Sequence, residues 1–302
     1  MKKIVVLGAN GFIGSAVNAA LVDKGVITDA VATSSKSIYS LDKDSHWLRP
    51  VIQGADTVYL CAGRTGGVGR MQRDPLSFVL PNVRIQMNVM EACVAAGVRR
   101  LVTGQSITGY PDTPDPVTED QYGDGELHPA YYVPGNTWRF VDKVASMFRA
   151  LEVVFVRPSN VYGPRNDFDA QTSHVIEATV RKVHERHDPF VIWGNGTEKR
   201  DPTYITDLAE AMTLCMDCEP GAYNIGTGQS VSVNDMVEIL FSHAGHHPTI
   251  EYDTTKPSAI QTRYLDCRKA RYVLGWEPKV SIVEGLQRTY DYFAQEQNKC
   301  AA

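Results

Sequence analysis

Residues 4–14 read Ile4-Val-Val-Leu-Gly8-Ala-Asn-Gly11-Phe-Ile-Gly14, a short apolar run followed by three glycines spaced three apart. The apolar run predicts a buried strand, and the amphipathic pattern after Gly11 predicts a helix. In such a strand–turn–helix, the first glycine permits a tight turn, the second lets a phosphate approach the backbone, and the third lets helix and strand pack closely. Free N–H groups at the helix N-terminus then bind the phosphate. The stretch therefore predicts a dinucleotide-binding site.

Strand patterns alternate with helix patterns beyond this loop. Strands are predicted at 29–33, 57–61, 100–103 and 153–157, and amphipathic helices at 13–24, 82–96 and 138–150. Strands separated by helices imply right-handed crossovers and a parallel sheet. We therefore predict a Rossmann-type doubly wound α/β fold with a smaller C-terminal α/β lobe. The expected boundaries are 1–165 for the nucleotide domain, with a segment of about 203–228 returning to it, and 166–302 for the lobe.

Composition and charge exclude several classes of protein. The chain has 302 residues, of which 43% are hydrophobic and 22% charged, the usual mixture for a globular protein. Its formal charge of −5 offers no basic field for a nucleic acid or an anionic membrane. The first apolar run stops at Gly8, too early for a signal peptide, and the six cysteines do not form a disulfide framework, so we expect a cytoplasmic protein. Cys215 and Cys218 form a lone CxxC with no second ligand pair, and we expect no metal site.

The GxxGxxG spacing resembles the extended short-chain dehydrogenase/reductase superfamily, of the NAD-dependent epimerase/dehydratase type. Several further strings resemble one branch of it, the GDP-L-fucose synthases (GDP-4-keto-6-deoxymannose 3,5-epimerase-4-reductases). These strings are Arg64-Thr-Gly-Gly-Val68, Phe78-Val-Leu-Pro-Asn82, Asn160-Val-Tyr-Gly-Pro164, Ser173-His-Val-Ile176, Trp193-Gly-Asn-Gly-Thr-Glu-Lys-Arg200, Asp253-Thr-Thr-Lys-Pro257 and Leu274-Gly-Trp276. The resemblance spans about residues 4–293 and implies a sugar nucleotide bound between the nucleotide domain and the lobe.

The cofactor residues implied by this resemblance surround the glycine loop and the strand ends. They are Gly8, Ala9, Asn10, Gly11, Phe12, Ile13, Gly14, Thr33, Lys36, Cys61, Ala62, Gly63, Asn82, Gly104, Pro158, Asn160 and Val161. The second predicted strand ends in Thr33-Ser-Ser-Lys36, with no carboxylate for a ribose 2′-hydroxyl. Because Lys36 would attract a 2′-phosphate, the sequence favours NADP(H) over NAD.

Four residues match the positions that hold the nucleotide sugar in the resembled family: Lys182, Trp193, Arg200 and Asp266. The resemblance implies a GDP-linked substrate. It also implies a homodimer that pairs through two helices of each subunit, one of which carries the catalytic tyrosine. Val141, Val144, Ala145 and Phe148 have spacing that fits such a contact and equally fits core packing.

The resembled enzymes use a serine or threonine, a tyrosine, and a lysine four residues after that tyrosine. Ser106 takes the first position, and Tyr132, which lies 28 residues before Asn160, takes the second. Four residues on stands Asn136, an uncharged amide able to hydrogen-bond a ribose; choosing Tyr131 instead leads to Gly135. A lysine normally brings a phenol with a pKa near 10 into working range, so its loss puts the activity in question.

Epimerisation in the resembled family uses a cysteine and a histidine. His174 matches the histidine, and Thr108 stands at the position of the cysteine. The leading hypothesis is an NADP(H)-dependent reductase or epimerase-reductase acting on a nucleotide-linked 4-keto sugar. Two alternatives stay open: a non-reducing sugar-nucleotide epimerase or dehydratase, and a catalytically degraded subunit that binds NADP and a sugar nucleotide.

Overall fold

A six-stranded parallel sheet forms the centre of the computed structural model, which describes residues 2–32, 47–64, 74–255 and 260–301. The strands lie in the order β10-β5-β4-β3-β1-β2, and each neighbouring pair is parallel. Their bounds are β1 (Lys3–Leu7), β2 (Thr28–Val31), β3 (Ala55–Leu60), β4 (Arg100–Gly104), β5 (Glu152–Pro158) and β10 (Gly221–Ile225). The predicted Rossmann-type doubly wound α/β fold is confirmed.

Helices cover both faces of this sheet. One face packs on α1 (Phe12–Asp23) and α6 (Ile205–Leu214), and the other on α2 (Leu48–Ile52), α3 (Leu76–Ala96) and α4 (Tyr132–Ala145). Along β1, Ile4 and Val6 pack in the core on the side of α1 and α6, while Val5 and Leu7 pack in the core on the side of α2, α3 and α4. Successive strand residues point to opposite faces, so a strand that is covered on both sides is apolar throughout.

The C-terminal lobe combines small sheets with three helices. Its small sheets pair β6 with β9, β7 with β12, and β8 with both β11 and β13. Their bounds are β6 (Asn160–Tyr162), β7 (Phe190–Trp193), β8 (Lys199–Arg200), β9 (Pro202–Tyr204), β11 (Val231–Ser232), β12 (Ile250–Asp253) and β13 (Thr262–Arg263). The helices are α5 (Val175–His184), α7 (Val233–Ala244) and α8 (Ile282–Ala301). Between the lobe segments, α6 and β10 run along the central sheet.

Helix α3 begins at Leu76, earlier than the predicted start at Asn82, and contains Pro81. A proline inside a helix lacks the N–H that would bond to the carbonyl four residues earlier. That carbonyl belongs to Ser77, and the guanidinium of Arg64 donates a hydrogen bond to it at 3.2 Å. A side chain from another segment thus satisfies the group that Pro81 leaves free, which no local pattern reveals.

Helix α4 likewise begins at Tyr132 rather than at the predicted Trp138, directly after a 3₁₀ turn over Pro129–Tyr131. Pro134 lies in the first helical turn, where a backbone N–H has no intrahelical partner in any case. The proline is therefore compatible with the earlier start, and Tyr131 and Tyr132 lie at the boundary between turn and helix.

Candidate active site

A cleft of about 520 Å³ lies at the carboxyl ends of β1, β3, β4 and β5, between the central sheet and the lobe. The strand order reverses beside β1, which pairs with β2 on one side and β3 on the other. Ligands of open parallel sheets bind at such a reversal, because the loops after the strands diverge there. The fold therefore places the cleft where a nucleotide site is expected.

The glycine loop forms one end of the cleft. Gly8 has φ of +87°, and a Cβ there would come within 2.9 Å of the backbone nitrogen of Ala62. A Cβ at Gly14 would lie 2.0 Å from the carbonyl oxygen of Gly8, so the helix can pack on the strand only with glycine. Gly11 caps α1 without a side-chain hydrogen bond, which leaves first-turn N–H groups available to a ligand. The loop therefore fits the pyrophosphate of a dinucleotide.

Most of the predicted cofactor residues line this cleft. Those that do so are Gly8, Asn10, Gly11, Phe12, Ile13, Cys61, Ala62, Gly63, Asn82, Gly104, Pro158, Asn160 and Val161. Ala9 and Gly14 belong to the loop and helix start but are not in the cleft wall. Thr33 and Lys36, on which the choice of NADP rests, lie outside the described residues.

Two asparagines of the cleft have different surroundings. The amide of Asn82 accepts a hydrogen bond from the backbone N–H of Arg64 at 2.8 Å and donates one to its carbonyl at 2.9 Å. Asn82 therefore holds the chain after β3 in place. The buried Oδ1 of Asn160, by contrast, has no hydrogen-bond partner among the described residues. An unpaired buried acceptor is costly, so this atom suits a ligand that donates a hydrogen bond.

The structure places Tyr131, and not the predicted Tyr132, in the cleft wall. Tyr131 lines the cleft, whereas the Tyr132 side chain is 59% exposed and lies outside it. Neighbouring residues at the start of a helix point in directions about 100° apart, so only one of the two faces the cleft. The spacing to Asn160 could not distinguish adjacent tyrosines, and of the two it is Tyr131 that the structure brings to the cleft.

The residue four positions after the tyrosine, where the resembled enzymes have a lysine, depends on which tyrosine is counted from. Asn136 is exposed, lies outside the cleft and donates from Nδ2 to the carbonyl of Tyr132 at 2.9 Å. Counted from Tyr131, the fourth residue is Gly135, which is buried where α4 crosses the 3₁₀ turn of residues 107–109. A Cβ at Gly135 would come within 2.5 Å of the Thr108 carbonyl oxygen and 2.7 Å of Leu127. The backbone therefore leaves no room for a lysine at this position.

Ser106 and Thr108 both line the cleft, as predicted, and their hydroxyl groups are paired. The Ser106 Oγ lies 2.9 Å from the Thr108 Oγ1 and also accepts the backbone N–H of Thr108 at 3.2 Å. The serine side chain is thus held by its own turn immediately after β4. This arrangement places two alcohols in the wall of the cleft that Tyr131 also lines.

His174 and Glu177 line the cleft from the start of α5. Burial lowers the pKa of the His174 imidazole and raises the pKa of the Glu177 carboxyl to about 7. Asn166 donates to the Oε1 of Glu177 at 2.6 Å, and Oε2 has no hydrogen-bond partner within the described parts of the chain. Glu177 was missed because a lone glutamate at the start of a helix has no distinctive sequence pattern.

Two arginines line the lobe side of the cleft, Arg200 as predicted and Arg263 as a residue that sequence reasoning missed. Arg200 lies on β8 and Arg263 on β13, and the two are direct partners in the parallel pair. Burial lowers the pKa of both guanidinium groups. The register of two-residue strands, which brings them together, cannot be inferred from the sequence.

Three predicted substrate residues do not line the cleft. Lys182 donates from Nζ to the carbonyl of Val191 at 2.9 Å, which holds it against β7. Asp266 is bound by the guanidinium of Arg268 at 2.6 Å, which lowers the pKa of the carboxyl. Trp193 is 58% exposed at the end of β7. Local partners therefore hold the side chains of Lys182 and Asp266, and the contact predicted for each with the nucleotide sugar stays a prediction.

The described residues contain neither a membrane-spanning helix nor a cluster of metal ligands. No helix there is long and apolar enough to cross a membrane. No group of three or more histidine, cysteine, aspartate or glutamate side chains within those residues could hold a metal ion.

Comparison with known proteins finds similar sequences and similar folds over nearly the whole chain. The chain is 30% identical to GDP-L-fucose synthase 1 of Arabidopsis thaliana over 96% of its own length and 93% of that protein. It superimposes with a TM-score of 0.86 on a GDP-6-OMe-4-keto-L-xylo-heptose reductase from C. jejuni, at 21% identity and 98% coverage of each chain. A GDP-L-fucose synthetase from Naegleria fowleri bound to NADP gives a TM-score of 0.84 at 20% identity, with 98% and 94% coverage of this chain and that chain.

The sequence profile of one family matches most of the chain. That profile covers residues 4–226, which include the glycine loop and nearly all of the six-stranded sheet. By this match, the chain belongs to the NAD dependent epimerase/dehydratase family.

Proposed function

We propose that the protein is an NADP(H)-dependent oxidoreductase that acts on a GDP-linked 4-keto sugar, either as a reductase or as an epimerase-reductase. The observation that carries this proposal is that the glycine loop, Ser106 and Tyr131 line one cleft. The relative from Arabidopsis thaliana, which matches over nearly the whole chain, is a GDP-L-fucose synthase and supports the substrate class.

In this proposal the Tyr131 phenol donates the proton that the carbonyl oxygen of the sugar gains on reduction. NADPH supplies the hydride for the carbonyl carbon when it is bound. Ser106 lies in the same wall and hydrogen-bonds the sugar oxygen, while Arg200 binds the diphosphate through charge-assisted hydrogen bonds. Ser106 follows β4, Tyr131 ends the turn before α4, and Arg200 lies on β8, so three separate elements bring these groups to the cleft.

Epimerisation requires a group that removes and returns protons next to the ketone. His174 lines the cleft, and its lowered pKa keeps a neutral imidazole available as a base near pH 7. Thr108 is a far weaker acid than the thiol found in the resembled enzymes, and its hydroxyl is already paired with Ser106. We therefore propose that reduction is the principal reaction.

The direct test uses purified protein with NADPH and GDP-4-keto-6-deoxymannose, followed by the absorbance of the reduced nicotinamide. We expect oxidation of NADPH in the wild type and at least about a hundredfold loss in Tyr131→Phe. Tyr132→Phe is the matched control, because the neighbouring ring is exposed, and it should keep activity. Equal losses in both variants would contradict the role of Tyr131.

The same experiment separates the two other functions. A changed sugar, detected by NMR without net oxidation of NADPH, would favour a non-reducing epimerase or dehydratase. Binding of both ligands without any product would favour a degraded binding subunit, for which the glycine at residue 135 is the structural argument.

We further propose a homodimer and a cytoplasmic location. Val141 and Ala145, whose spacing fits a subunit contact and core packing equally, are buried in the core. The outer face of α4 instead exposes Val133 and Phe140, which lie two turns apart. A homodimer would cover this apolar face. The cysteines with described side chains are free thiols, which suits a reducing compartment.

A further inference from the structure

The surroundings of Tyr131 disfavour the negatively charged phenolate that forms when the phenol gives up its proton. Its side chain is half-buried in the cleft wall, and desolvation there raises its pKa, away from the range useful for proton transfer. Residue 135 cannot carry a lysine, because even a Cβ there would collide with the Thr108 carbonyl. The described residues of the cleft wall include no lysine at all. A cation for Tyr131 must come from elsewhere in the fold.

Arg263 and Arg200 are placed to supply that charge. The two arginines are direct partners on neighbouring parallel strands, so their side chains extend from the same face into the cleft that Tyr131 lines. Arg263 is only 6% exposed, and its Nη1 donates a hydrogen bond of 3.0 Å to the Pro111 carbonyl. Among the described residues, neither guanidinium forms an ion pair with a carboxylate. Both positive charges therefore act on the cleft.

The other ionisable groups around this corner act less strongly. Arg200 and Arg263 both lower the pKa of the Tyr131 phenol against the effect of burial, Arg200 more strongly than Arg263. Of the charged groups that act on each arginine, Tyr131 comes first. Glu198 comes second for Arg200, and Asp112, which is exposed, comes second for Arg263. Tyr110 also acts on Arg263.

One titratable ring also touches Tyr131 directly. The His128 ring centre lies 5.9 Å from that of Tyr131, and the imidazole accepts the backbone N–H of Ala130. The ring nitrogen of His128 that accepts this bond therefore faces the backbone. Arg200 and Arg263 are the cationic side chains that line the lobe side of the cleft together with Tyr131.

We propose that Arg263, with Arg200 beside it, supplies to the Tyr131 phenol the positive charge that residue 135 cannot carry. When the phenol gives its proton to the sugar oxygen, the guanidinium groups stabilise the phenolate that remains, and solvent returns the proton afterwards. Arg263 acts through Tyr131 and is therefore a positioning residue. A substrate diphosphate would share the charge of Arg200, which leaves Arg263 as the more constant partner of the phenol. This inference rests on the proposed role of Tyr131.

The test measures the ionisation of Tyr131 without substrate. Alkaline ultraviolet titration of the wild type, minus that of Tyr131→Phe, isolates this one phenol among the fourteen tyrosines. The same subtraction is made in the Arg263→Gln, Arg263→Lys and Arg149→Gln backgrounds, over the pH range in which circular dichroism shows each protein folded. Arg149 is exposed beyond the end of α4 and is the control for loss of one surface charge.

We expect Arg263→Gln to lower the phenolate fraction at a given pH about tenfold, Arg263→Lys to restore most of it, and Arg149→Gln to leave it unchanged. The pH profile of NADPH oxidation should move to higher pH in Arg263→Gln and return in Arg263→Lys. Identical titrations of wild type and Arg263→Gln would overturn the inference, and so would an equal effect of the glutamine and lysine variants. The titration needs no sugar nucleotide, so its result tests the role of Arg263 independently of the proposed function. The proposed function fails if Tyr131→Phe remains fully active.

Discussion

Gly135→Ala should destabilise the protein, although alanine is the better helix former. The added Cβ would lie 2.5 Å from the backbone oxygen of Thr108 and 2.7 Å from a methyl group of Leu127. Leu127 can rotate, but the Thr108 carbonyl belongs to the turn that α4 packs on. Overpacking of this kind costs roughly 1–3 kcal/mol, against a gain of about 1 kcal/mol from replacing a helical glycine. Because the Thr108 carbonyl cannot move aside, the cost should lie in the upper part of that range, about 2–3 kcal/mol, and we expect a net loss of about 1–2 kcal/mol in the free energy of unfolding.

Urea unfolding followed by far-ultraviolet circular dichroism measures this difference. Asn136→Ala is the matched control, since Asn136 is exposed on the next position of the same helix and bonds only to the Tyr132 carbonyl. It should change the free energy of unfolding by only a few tenths of a kcal/mol. If Gly135→Ala were as stable as the wild type, α4 would not lie this close to residues 107–109. A lysine at residue 135 would then be possible, and the electrostatic role given to Arg263 would lose its reason.

Three further predictions concern the cofactor, pH and assembly. Lys36→Glu should raise the KM for NADPH about tenfold and leave the KM for NADH little changed, because the expected lysine–phosphate interaction is lost. An equal change in both KM values would argue against a preference for NADP. Folding raises the pKa of the Glu177 carboxyl from 4.5 to about 7. Between these two pH values the folded protein therefore keeps a proton that the unfolded chain has lost. Stability should therefore fall by up to about 3 kcal/mol as pH rises from about 5 to about 7, and urea unfolding of Glu177→Gln should show no such fall. Phe140→Glu should convert the proposed dimer into a monomer, measured by light scattering, and an unchanged mass would place the interface elsewhere.

The local sequence determined the architecture and the nucleotide end of the cleft. The apolar run of β1 and the glycines after it specify their own geometry, because strand period, turn conformation and helix start depend on neighbouring residues. Gly8 and Gly14 are needed at close approaches that the spacing already implies. The positions that line the glycine-loop end of the cleft could therefore be named before the structure was known.

The tertiary structure alone decided which side chains meet at the catalytic end. Tyr131 and Tyr132 are indistinguishable by spacing, and only the docking of α4 against residues 107–109 turns the first into the cleft. Arg263 lies at the site because the two-residue strand β13 pairs with β8, which is more than sixty positions earlier in the sequence. Orientation at a helix start and pairing between distant segments depend on packing energies summed over many residues. No short motif contains that information.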